Sequence, residues 1–146
     1  MNRVLLGLRP LSRPFRREPF FPKQFMNDQL TTLEDLKQLV ARFVAEREWR
    51  QFHTPKNLAM SLAIEAAELM EHFQWLEPDE SRAVAKAPVK LGAIGEELAD
   101  VLAYTLAMAN ELGLDLSTVL TEKMQKNASK YPADAFRGRW GEADGS

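Results

Sequence analysis

Two apolar stretches, Leu58 to Leu76 and Leu91 to Leu112, each carry a pair of carboxylates three residues apart. The first pair is Glu65 and Glu68, the second Glu97 and Asp100. Residues at this spacing share one face of an α-helix. A carboxylate on an otherwise buried helix face is costly unless its charge is compensated. Neither stretch holds a run of Lys or Arg beside its acids. Two helices that pack their acidic faces together would therefore suit a divalent cation. Hard oxygen ligands, with no His or Cys among them, favour Mg2+ or Mn2+ over zinc. Glu65, Glu68, Glu97 and Asp100 are the expected metal ligands and the expected catalytic centre.

The rest of the chain reads as helix too. Thr31 or Thr32 caps a first helix over about Leu33 to Trp49, with Leu33, Leu36, Val40, Phe43 and Val44 at helical spacing. Thr54 followed by Pro55 starts a second, expected to run to about Leu76. A short helix covers Glu80 to Lys86. A long one runs from Pro88 to Leu112 and stops at Gly113. Asp115 or Ser117 caps a last helix ending at Tyr131-Pro132. No alternating strand pattern is present. The expected fold is an all-α antiparallel bundle of four main helices. The helices of the two acidic motifs are apolar nearly all round, which predicts burial on every side. A chain of 146 residues hardly achieves that alone, so a homo-oligomer, dimer or tetramer, is expected.

Charge divides the chain. Residues 1–25 carry a net +5, and the other 121 carry −7. An acidic domain is a poor nucleic-acid binder. No apolar run is long enough to span a membrane. The absence of cysteine excludes disulfides and thiolate chemistry. The expected organisation is a basic N-terminal extension at 1–25, a domain at 26–132 and a loosely ordered tail at 133–146. The extension lacks the apolar core of a secretory signal, though its basic character suits an organelle transit segment. The start of ordered sequence just after Met26 favours a plain tail, and with it a cytoplasmic location.

Several words of the sequence go further than spacing. Thr32-Leu33-Glu34-Asp35, Phe43 to Trp49, Gln51 to Leu58 and Glu65 to Trp75 resemble the dCTP pyrophosphatase branch of the MazG-like nucleotide pyrophosphohydrolases. Glu96 to Val101 resembles the second acidic motif of that family, and Lys123-Met124, Asn127 and Lys130-Tyr131-Pro132 its C-terminal signature. The resemblance implies an all-α, oligomeric, Mg2+-dependent enzyme that cuts a nucleoside triphosphate to the monophosphate and diphosphate. It implies a base slot beside the metal ligands, for which Trp49, Trp75 and Tyr104 are the aromatic candidates. On a helix continued to Leu76, Trp75 would lie about 20° from Glu68. His53 is a further substrate contact. Lys123, Asn127, Lys130 and Tyr131 are expected phosphate or sugar contacts, reaching a neighbouring subunit. One position departs from the family: Val40 stands where vertebrate dCTP pyrophosphatases have a histidine, which predicts a narrower margin for cytosine. The competing reading is a non-catalytic helical metal-binding protein, an interaction or regulatory partner.

Overall fold

The computed structural model describes residues 26–138, and every regular element among them is helical. The chain divides into two units, Met1–Thr31 and Thr32–Ser146. Within the first, residues 26–31 form a turn in which the Asn27 Oδ1 accepts from the backbone N–H groups of Gln29 and Leu30. The expected N-terminal extension, 1–25, lies outside the described residues.

Helix α1 spans Leu33–Glu46, α2 Pro55–Glu71, α3 Pro78–Ala83, α4 Pro88–Leu112, α5 Leu116–Lys130 and α6 Ala133–Phe136. Short 3-10 turns lie at Trp49–Phe52 and Val84–Lys86. The starts follow the sequence signals. Thr32 caps α1 in a full capping box, with Asp35 as the reciprocal partner. Thr54 caps α2 ahead of Pro55, and Asp115 caps α5. Gly113, at φ 65°, takes the left-handed conformation that closes α4.

Two ends fall earlier than periodicity predicts. Helix α1 stops at Glu46 rather than Trp49, because Glu48 is left-handed (φ 56°) and a right-handed helix cannot pass through it. Helix α2 stops at Glu71 rather than Leu76. Its last bonds tighten: the Phe73 N–H reaches back only to Met70, and the Leu76 N–H only to Phe73. Pro78 also disfavours the helical conformation at the residue before it, and Glu77 is extended (ψ 157°).

Helix α4 is the axis on which α1 and α2 meet. Its main partner is α2, and α1 packs on it as well. Asn110 donates to the Lys37 carbonyl at 2.9 Å, and the Lys37 ammonium donates to the Leu114 carbonyl at 3.0 Å. The small core among the described residues draws on these three helices and on the second 3-10 turn: Val44 from α1, Leu58 from α2, Val84 from the turn, and Ile94, Leu106, Ala107 and Ala109 from α4. The fourth long helix, α5, makes no extensive contact with any other element. The tail expected to be loosely ordered contains α6, where Phe136 packs edge-on against Tyr131 at 5.3 Å. Residues 139–146, including Trp140, lie outside the described part.

Candidate active site

The acidic motifs meet where α2 passes α4. Carboxylate oxygens of Glu65, Glu68 and Glu97 lie within 4.8 Å of one another. Three carboxylate oxygens gathered this closely can reach one small divalent ion, whose oxygen ligands lie ~2.1 Å from it. Asp100 lies one turn beyond Glu97 on α4, and its charge acts on Glu65. None of the four carboxylates is ion-paired to a Lys or Arg among the described residues. Burial, and then the charges of Glu68, Asp100 and Glu97, raise the affinity of Glu65 for its proton above that of an ordinary glutamate. A cluster in this state takes up either a proton or a cation. All-oxygen donors of this kind fit a hard divalent ion.

A cleft of two cavities that share His53 in their walls runs along α4. Tyr104, Ala107 and Glu111 lie within about 40° of Asp100 around the helix, so one face carries all of them. The nearer part of the cleft, about 400 Å³, is lined by Phe52, His53, Asn57, Ser61, Ile64 and Tyr104, among others. The farther part, about 410 Å³, lies between α1 and α4 and includes Val40, Val44, Arg50, Ala107, Asn110 and Glu111. His53 lines both parts. Each has the volume and the mostly apolar walls of a small-molecule site.

The aromatic candidates divide. Tyr104 and His53 line the cleft. Trp49 sits in the 3-10 turn, edge-on to Phe43 at 5.8 Å, with the Arg47 guanidinium 3.6 Å over the Phe43 ring. Trp75 does not share the helix face of Glu68, because α2 has already ended. It projects from the following turn and is 85% exposed. Lys123 and Asn127 lie on α5 and Lys130 at its end. Among the described residues none of them, nor Tyr131, makes a hydrogen bond or ion pair to α2 or α4. The Lys130 ammonium lies 5.1 Å over its neighbour Tyr131, and the Asn127 amide donates to the Met124 sulfur in its own helix.

The sequence reasoning missed Phe52, Asn57, Ser61 and Ile64 on one wall, and Arg50, Asn110 and Glu111 on another. The α4 residues were within reach of it. Continuing the stripe from Asp100 through Tyr104 by further turns arrives at Glu111. The turn at 49–52 had no such periodicity.

The model of the MazG-like family matches residues 60–141, which include both acidic motifs. The chain belongs to the MazG-like family. It is 42% identical over 127 residues to dCTP pyrophosphatase 1 of Mus musculus, an alignment covering 87% of this chain and 69% of the relative. Identity to dCTP pyrophosphatase 1 of Homo sapiens is 41% over 116 residues, covering 80% and 68%. Among solved structures, a pyrophosphatase from Archaeoglobus fulgidus superposes with a TM-score of 0.64 at 40% identity, over 68% of this chain and 92% of that one. No described helix of this MazG-like chain is long and apolar enough to cross a membrane.

Proposed function

We propose that this chain is a divalent-cation-dependent nucleoside triphosphate pyrophosphohydrolase, converting a (d)NTP and water to the (d)NMP and diphosphate. The leading substrate is dCTP or a 5-modified dCTP. The observation that carries the reading is the convergence of Glu65, Glu68 and Glu97 without a cationic partner among the described residues, with a cavity of small-molecule size lined by Ile64, the neighbour of Glu65 in sequence, and by Tyr104. The names of the relatives, dCTP pyrophosphatase 1, supply the substrate class.

Glu65, Glu68 and Glu97 would hold the ion, with Asp100, one turn beyond Glu97, as the fourth carboxylate ligand. Mg2+, or Mn2+ in its place, supplies charge neutralisation to the polyphosphate and acidifies bound water. The remaining work is positioning. The phosphates lie at the acidic end, and the nucleoside extends along α4 past Tyr104 and His53. Water attacks the α-phosphorus, the bond to the β-phosphate oxygen breaks, and diphosphate leaves.

Trp75, Lys123, Asn127, Lys130 and Tyr131 complete a site only if they serve a neighbouring copy. The exposure of Trp75 and the lack of packing around α5 support that reading. A homo-oligomer, dimer or tetramer, follows from it.

A panel of canonical and modified (d)NTPs with Mg2+, scored for diphosphate against orthophosphate, tests the reading. Diphosphate release that depends on Mg2+ and favours dCTP is the expected result. Orthophosphate release would replace the pyrophosphohydrolase reading with cleavage at the terminal phosphate, and metal binding without turnover would overturn it in favour of the non-catalytic alternative.

A further inference from the structure

The farther part of the cleft holds a pair of opposite charges that the pyrophosphohydrolase reaction does not use. Arg50 comes from the 3-10 turn after α1, and Glu111 from the last turn of α4. The Arg50 Nε lies 3.9 Å from the Glu111 carboxylate, too long for a hydrogen bond. Both line the same cavity, whose floor includes Val40, Val44 and Ala107. Glu111 lies eleven residues beyond Asp100, or ~16 Å along the helix. That spacing suits a ligand with phosphates at one end and a base at the other.

The polar groups that line the cavity differ in what they offer. The Asn110 amide is turned by its bond to the Lys37 carbonyl, so its oxygen is the side chain's remaining acceptor. The Glu111 carboxylate accepts only, and the Arg50 guanidinium donates only. The cavity therefore offers acceptors beside a donor. A cytosine edge is the complement, with its exocyclic amine next to the N3 acceptor. A uracil or thymine edge reverses the order, with a keto oxygen next to an N–H. Carboxylates accept from the cytosine amine in nucleic-acid recognition on the same grounds.

We propose that Glu111 and Arg50 select the amino over the keto base edge, Glu111 accepting from the exocyclic amine and Arg50 donating to the adjacent ring nitrogen. The inference rests on the nucleotide reading of the cleft. Because adenine shares the amino edge, the pair separates amino from keto bases, not pyrimidines from purines. It also supplies a polar contact to the base in a chain where Val40 occupies the family's histidine position.

Calorimetric binding of dCMP and dUMP in the presence of Mg2+, to the wild type and to Glu111→Gln, tests this without needing turnover. The two ligands differ in the amine-to-keto change and the accompanying ring proton. Glu111 has no partner beyond Arg50 among the described residues, so the substitution leaves the fold intact, as its melting curve should verify. In the wild type dCMP should bind about tenfold tighter than dUMP, the worth of one well-made base-edge contact. In Glu111→Gln the two affinities should become nearly equal, because a primary amide can turn either its donor or its acceptor to the base. Equal binding by the wild type, no binding of either ligand, or an unchanged preference in the variant would each overturn the assignment. A wild type that prefers dCMP yet releases no diphosphate from dCTP would sink the proposed reaction and leave the base assignment standing.

Discussion

A carboxylate whose oxygen lies within 4.8 Å of two others meets repulsion that only a proton or a cation relieves. Glu68→Gln should therefore act in opposite directions on binding and on stability. Mg2+ affinity and turnover should fall by more than the ~10–100-fold typical of losing a mere outer-shell partner. The metal-free protein should be more stable by about 1 kcal/mol, since one like charge is gone at an exposed site. Isothermal titration with Mg2+ and melting in chelator measure the two effects, and retention of full activity would remove Glu68 from the site. Glu65 adds a pH signature. Its folded pKa lies above the ordinary 4.5, so across the window starting there the folded chain holds more protons than the unfolded one. Unfolding free energy must then fall as pH rises through that window. Saturating Mg2+ should reverse the slope, because the ion competes with the proton. Melting temperatures in chelator and in Mg2+ from pH 4.5 upward should diverge, and Glu65→Gln should remove the chelator slope.

At the scale of the element, helix starts were legible because each is written in a side chain that bonds the backbone. Thr32, Thr54 and Asp115 all accept from an N–H three residues on. Thr32→Ala should cost about 1 kcal/mol, measured by urea denaturation. An unchanged midpoint would show that α1 is held by packing alone. Asp35 and Asp115 are held below the usual carboxylate range by hydrogen bonds from Thr32 and Thr118. Their contribution is complete above the ordinary value of 3.8 and lost as pH falls through their lower folded values. The acid limb of the stability curve therefore has the opposite sign to the Glu65 window. Helix ends were less legible. Nothing in the apolar pattern marks Glu48 as left-handed or stops α2 at Glu71 while Phe73 and Leu76 continue the stripe. The misplacement of Trp75 beside Glu68 follows from that one boundary. Glu65, Glu68 and Glu97 did not depend on any boundary. They lie in helix interiors, where spacing alone sets the face, and the structure brings them together.

At the scale of the whole molecule, apolar surface stands uncovered on two of the long helices. Leu91, Leu98 and Leu102 recur at helical spacing on α4 and are left open, as are Leu120 and Met124 on α5. Leu98 is 56% and Leu120 59% exposed. Large exposed apolar stripes mark interaction surfaces, and a helix apolar nearly all round is stable only when covered on every side. A second copy of the chain is the economical cover. It would also bring the cations of α5 toward an acidic cluster that has no cationic partner among the described residues. Assembly and catalysis should then fail together. Leu98→Glu and Leu120→Glu each place a charge where the assembly would bury it without a partner, at a cost of several kcal/mol. Both substitutions are harmless to a lone chain, where these positions face water. Each variant should elute as a folded monomer by light scattering, with helical content unchanged by circular dichroism. Cluster affinity for Mg2+ should persist, because Glu65, Glu68 and Glu97 come from one chain. Turnover should drop and recover with rising protein concentration, if Lys123 and Lys130 serve a neighbour's phosphates. A wild type that is monomeric and fully active at micromolar concentration would refute the assembly. An assembly-deficient variant with undiminished turnover would instead confine the whole active site to a single chain.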